Sequence, residues 1–176
     1  MFKIAEYEAL RATIRERGTA RICIILVGLV AWAALTLFLS SSEFDRAAAL
    51  VPFIVLTATF EISFFIHTGV ERVGRYLQVF FDDDWENAAM AYAQKNPGGA
   101  NPLFVTLFAL TAVISFAASL PTAARHPGWI GISLLAHLTY GWRLYSARRS
   151  AAAQRSLDLD RFRALKDASS KSKELG

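Results

Sequence analysis

Glu61 is the residue best placed to do chemistry, because it is an acid inside a long apolar run, residues 47–67 (AAALVPFIVLTATFEISFFIH). A carboxylate in hydrocarbon is costly, and such residues face the protein interior or a polar path. Thr57 precedes it by one helical turn on the same face. His137 lies in another apolar run, residues 127–145. If both runs are helices crossing one bilayer, the two residues differ in depth by ~4–5 Å. Trp32, central in a third run, has an indole N–H to offer the same cluster. Glu61, His137, Thr57 and Trp32 thus form the expected intramembrane polar site, and it has two readings. In one, an interhelical hydrogen bond holds a bundle together. In the other, Glu61 and His137 line a path for protons, ions or a substrate. The first is preferred, because polar groups between membrane helices commonly serve packing.

Other chemistry-bearing residues have plainer explanations. A b-type haem needs two histidines at similar depth, but His67 and His137 differ by ~13–15 Å along the helix direction and His126 belongs to the opposite boundary. No cofactor is expected. The acidic run Asp82-Asp83-Asp84-Trp85-Glu86 offers oxygen ligands of the kind Mg²⁺ and Ca²⁺ prefer. It lacks EF-hand spacing, and the Asp83/Glu86 pair three residues apart is a capping-box pattern, so no metal is expected either. Cys23 stands alone, which excludes an intramolecular disulfide and a cysteine-based cluster. No phosphate-binding loop, Gly-x-Ser-x-Gly, His-Glu-x-x-His or Cys-x-x-Cys pattern occurs, so the grounds for expecting an enzyme are missing.

The elements that must position these residues are helices. The chain has 176 residues, of which 54% are hydrophobic and 19% charged, and its mean hydropathy is +0.32. Soluble domains usually carry about 25% charge. No charged residue lies between Arg21 and Glu43, or between Lys95 and Arg125. This composition argues against a soluble enzyme, a secreted disulfide scaffold and a disordered tail. Four apolar runs stand out, residues 22–40, 47–67, 103–120 and 127–145. About 20 helical residues span ~30 Å of hydrocarbon. The expected fold is an all-α integral membrane protein with four transmembrane helices in a single membrane domain. The first run reads as a span and not as a cleaved signal, because a long polar segment with helical patterning precedes it.

Orientation follows from the basic residues. Seventeen of the nineteen Lys and Arg fall before the first run, between the second and third, or from Arg143, near the end of the fourth, onward; only Arg46 and Arg125 fall in the other two connections. Both termini and the middle connection are therefore expected in the cytoplasm, with the chain in a bacterial inner membrane. Trp129, Trp142 and Tyr145 read as interface anchors.

The polar segments are patterned as helices too. Residues 1–18 place Ile4, Tyr7, Leu10 and Ile14 on one face, and Gly18 is expected to interrupt them. Residues 68–95 read as a helical hairpin. Its outgoing arm carries Val70, Val73, Leu77 and Phe80, with Glu71 and Arg75 as an i,i+4 pair. Its return arm is expected to start at Trp85, with Trp85, Ala88, Ala89 and Tyr92 as the apolar side. Residues 146–168 form a further helix, and 169–176 are expected to be disordered. Rows of small polar residues, Thr111, Ser115 and Ser119 in one run and Ser133, His137 and Gly141 in another, mark close helix packing. Arg148, Arg149 and Arg155 are positioned to meet anionic lipid headgroups. No nucleic-acid-binding module is visible.

The sequence therefore predicts a small polytopic membrane protein that acts as a structural, assembly or accessory subunit, as a homo-oligomer or within a larger membrane complex. The alternative is an oligomeric channel or a proton- or ion-coupled transporter built around Glu61 and His137.

Overall fold

The computed structural model describes residues 2–40, 48, 50–96, 102–124 and 127–174. The elements are α1 (Phe2–Ser40), α2 (Val51–Phe81), α3 (Asp84–Lys95), α4 (Pro102–Ala124) and α5 (Pro127–Glu174), and no strand occurs among the described residues. The connections carrying Arg46, Arg125 and His126, the segment 97–101, and residue 47 at the start of the second apolar run lie outside the described residues.

Among the described residues, two helices are long and apolar enough to cross a membrane, α1 over Lys3–Leu39 and α2 over Val51–Phe81, and α4 carries a shorter apolar stretch, Val105–Pro121. Pro102 and Pro127 open α4 and α5, where a missing N–H costs no helical hydrogen bond. Pro121 lies inside α4, which continues past the expected end at residue 120.

Three expectations about boundaries are corrected. Gly18 does not interrupt: α1 runs unbroken for 39 residues. A helical glycine costs only ~0.5–1 kcal/mol relative to alanine, too little to break a helix supported on both sides. Residues 127–145 and 146–168 are one helix, and it extends through the segment expected to be disordered, as far as Glu174. Nothing from Arg143 to Glu174 is a proline or glycine, and the hydroxyls of Ser169 and Ser170 donate back to the Lys166 carbonyl. The return arm α3 starts at Asp84, one residue earlier than expected.

The chain divides into two compact units. The first comprises Met1–Ala20, Phe65–Ala100 and Arg148–Gly176; the second comprises Arg21–Phe64 and Asn101–Ala147. The second unit is built on Leu56, Phe60, Phe108, Ala112, Tyr140, Leu144 and Ala147. Phe60 is its hub, edge-to-face with Phe108 at 5.3 Å and with Tyr140 at 5.8 Å. Gly28 lets α1 approach α2 closely, since a Cβ there would overlap the Thr59 side chain. Thr59, Ser63, Thr111, Ser115 and Ser133 are buried in this unit, whereas Leu26, Val30, Leu37, Ile54, Leu110, Val113, Leu135 and Leu138 are exposed.

The first unit has a small apolar core that includes Leu77 and Leu159, and it buries Asp83 and Asp158. Tyr76, Phe80 and Phe162 pack as an aromatic trio. Ion pairs and hydrogen bonds join its three chain segments. Arg72 Nε reaches Asp158 at 3.2 Å, Tyr76 donates to Glu6 at 2.9 Å, and Lys166 donates to the Val79 carbonyl at 2.6 Å.

Candidate functional site

Glu61 projects from α2 toward α5, and its partner is Arg143. Arg143 Nε lies 2.7 Å from Glu61 Oε1, and Nη2 donates to Oε2 at 2.8 Å. This is the parallel two-bond geometry that suits a guanidinium and a carboxylate. The guanidinium also lies over the faces of Phe64, at 5.0 Å, and Phe60, at 5.8 Å, where the ring quadrupoles attract it. Arg143 thus links Glu61 to the aromatic hub of the second unit.

The other residues expected around Glu61 point elsewhere. The Thr57 hydroxyl donates to the Phe53 carbonyl within its own helix. His137 Nδ1 lies 2.8 Å from the Ser133 carbonyl. A carbonyl can only accept, so this bond places a proton on Nδ1 and leaves Nε2 of the neutral ring as an acceptor. Nε2 is buried with no hydrogen-bond partner, as are Trp32 Nε1, Ser63 Oγ and the Tyr140 hydroxyl. The His137 ring packs on Phe53 at 4.2 Å and on Phe116 at 5.3 Å. Neither His137 nor Trp32 is hydrogen-bonded to Glu61. Arg143 was legible only as a basic residue near a helix end. The signal that it partners Glu61 is that both lie on the same side of the middle of their runs, and an arginine side chain can cover the remaining depth.

The small-polar residues divide. Ser119 and Ser133 meet Oγ to Oγ at 3.0 Å, joining α4 to α5. Thr111 and Ser115 are buried, and Thr111 donates to the Leu107 carbonyl. Gly141 is exposed, and a Cβ there would meet nothing within 4 Å. On α5 the inward positions include Ser133, Tyr140 and Leu144, so Gly141 is off the packed face.

The first unit has its own polar centre at Asp83. Asp83 caps α3, its side chain accepting from the Glu86 N–H at 3.0 Å. The reciprocal half of the expected capping box is replaced. The Glu86 carboxylate turns to Arg11 Nη1 at 3.1 Å and lies against α2 where Gly74 leaves room; a Cβ at residue 74 would come within 2.8 Å of it. Asp83 also accepts from Arg11 Nη2 at 2.7 Å and from the Tyr7 hydroxyl at 2.7 Å. Burial raises the Asp83 pKa, but the bonds from Tyr7 and the Glu86 N–H and the Arg11 charge outweigh it, so the carboxyl titrates below its ordinary value. Asp82, immediately before the cap, has φ 50°, a left-handed conformation that short polar side chains tolerate, and its carboxylate accepts from Asn87.

Glu71 does not pair with Arg75. It pairs with Arg155 and lies 3.5 Å from His67 Nε2. Of the basic residues expected at lipid headgroups, Arg155 is therefore engaged within the protein, while Arg148 and Arg149 lie on the exposed side of α5. Among the described residues, no group of three or more His, Cys, Asp or Glu is placed to hold a metal ion.

Comparison with protein-family models, with curated proteins and with solved structures finds no match, so the functional reading rests on this geometry.

Proposed function

We propose that the chain is a four-span membrane protein whose role is structural, as an assembly or accessory subunit that associates with copies of itself. The observation that carries this reading is the surface of the second unit, where Leu, Ile and Val face out while small hydroxyl residues are buried beside the apolar core. In lipid an apolar exterior has no cost, and small polar residues at helix contacts allow close approach. The four spans would be the parts of α1, α2, α4 and α5 that belong to this unit. The distribution of basic residues favours cytoplasmic termini in a bacterial inner membrane. The two-bond Glu61–Arg143 pair supports the structural role, because it satisfies an otherwise isolated carboxylate.

A second reading has one observation in its favour. His137, Tyr140 and Arg143 follow one another along α5, and the first two carry buried polar atoms without partners. Such a row could hold water and pass protons through an oligomeric channel or transporter. The two readings separate on Glu61→Gln. Gln keeps the shape and cannot ionise. In the structural reading, liposomes carrying the wild-type chain show no proton or cation flux above empty liposomes. A wild-type flux that the folded Gln variant loses would establish the second reading instead.

A further inference from the structure

The apolar side of α3 faces outward. Trp85 is 69% exposed and Tyr92 66%, and Ala88 and Ala89 between them are exposed as well. The opposite side makes the internal contacts: Glu86 with Arg11, and Asn87 and Met90 with Gln78. Two large aromatics this open on a short, ordered helix are unusual, since exposed apolar patches mark interaction sites.

The face is self-complementary. Trp85 and Tyr92 lie one residue type at each end, seven positions apart, and the two alanines sit at the midpoint. At ~100° per residue all four fall within ~50° of one line. A two-fold axis through that midpoint, with the helices antiparallel, sets each Trp85 against a Tyr92 and brings the alanine pairs together, where small side chains permit close approach. The charges agree. Asp82 and Asp84 are exposed at one end of the helix and Lys95 at the other, so an antiparallel pair brings opposite charges together. Asp83 and Glu86 do not oppose this, because both are paired with Arg11. The helix dipoles also align favourably in that arrangement.

We infer that the Trp85–Tyr92 face of α3 is the site at which a second copy of this chain docks, by an isologous antiparallel helix contact. The inference rests on the self-association proposed above and assigns a surface to it. The test uses the full-length chain in lipid nanodiscs or native membranes, with Cys23→Ser as the background. Ala89→Cys should form a disulfide-linked dimer under mild oxidation at least tenfold faster than Arg148→Cys, an exposed site elsewhere on the same unit. Trp85→Glu should shift the mass of the solubilised particle from two copies to one. Helix content unchanged by Trp85→Glu would show that the variant folds. A wild-type particle of one copy overturns the self-association itself. A wild-type particle of two or more copies, with Ala89→Cys no faster than the control and mass unchanged by Trp85→Glu, overturns only the assignment of this surface.

Discussion

Both units bury apolar side chains, but they differ in the polar groups they bury and in what they expose, and each is built with segments of the same long helices. In the second unit, residues 21–64 and 101–147, many exposed positions are leucine, isoleucine and valine, and Thr59, Ser63, Thr111, Ser115 and Ser133 are buried beside the apolar core. In the first unit, apolar Leu77 and Leu159 are buried, and its segments are joined by ion pairs such as Arg72–Asp158 and Arg11–Asp83. α1, α2 and α5 contribute residues to both. Backbone conformation therefore does not distinguish the units. What differs is which side chains meet the surroundings, as expected if one unit is solvated by lipid and the other by water.

The largest loss of stability is expected at Gly28. Any side chain there collides with Thr59, so Gly28→Leu should abolish folding of the second unit and Gly28→Ala should lower its thermal stability. Thr59→Ala in the same chain should restore much of the loss from Gly28→Ala. Failure of that rescue would remove the close α1–α2 contact from the account.

The Asp83 centre comes next. Losing an N-cap costs ~0.5–2 kcal/mol, and Asp83→Ala also removes the bonds Asp83 accepts from Arg11 and Tyr7, leaving Arg11 with Glu86, so the upper part of that range is expected in thermal unfolding. The sign of its pH dependence is set by the lowered Asp83 pKa. Such a group stabilises the fold above its unfolded pKa, ~3.9 for aspartate, and loses that contribution as pH falls through its lower folded value. The difference between wild type and Asp83→Ala should therefore be constant from pH 7 to pH 5 and shrink below about pH 4. A difference that vanished at pH 6 would contradict the assignment.

The Glu61–Arg143 pair should be weaker. Its side chains remain 40% and 35% exposed, and polar contacts between membrane helices couple by about 0.6 kcal/mol on average and at most about 1.7. A double-mutant cycle with Glu61→Gln and Arg143→Gln should fall in that range. His137→Gln should not couple to Glu61 at all, because His137 bonds Ser133 instead.

The smallest effect is expected at Arg148, which is exposed on α5. Arg148→Ala should leave thermal stability within ~0.5 kcal/mol of wild type. A larger loss would mean that this part of α5 is not the solvated face described.

How much of this was legible in the sequence depended on whether the signal was local. The Asp83/Glu86 spacing located the start of α3 within one residue and identified its cap, because capping is written in adjacent positions. The periodic residues marked an apolar side of α3 but not its direction, since Trp85, Ala88, Ala89 and Tyr92 are exposed. The continuity of α1 through Gly18 and of α5 through residue 146 was not legible, because composition changes there while helical propensity does not. Glu61 was recognisable as exceptional from its setting alone. Its partner was not, because Arg143 is 82 positions away and the choice between it and His137 depends on how α2 and α5 are rotated against each other. Glu71 repeats the lesson. A favourable i,i+4 neighbour, Arg75, was available, and a residue from another segment, Arg155, took its place.

The central claim, that the second unit is solvated by hydrocarbon on its leucine-rich exterior, is tested most directly by spin labels in nanodiscs. Labels placed one at a time at Leu26, Ile54, Val113 and Leu135, all exposed on that unit, would be compared for relaxation by oxygen and by a water-soluble nickel chelate. Oxygen should dominate at all four, and the chelate should dominate at Asp160 and Arg163, exposed residues of the first unit. Dominance of the chelate at the four apolar sites would contradict the membrane reading and, with it, the proposed role.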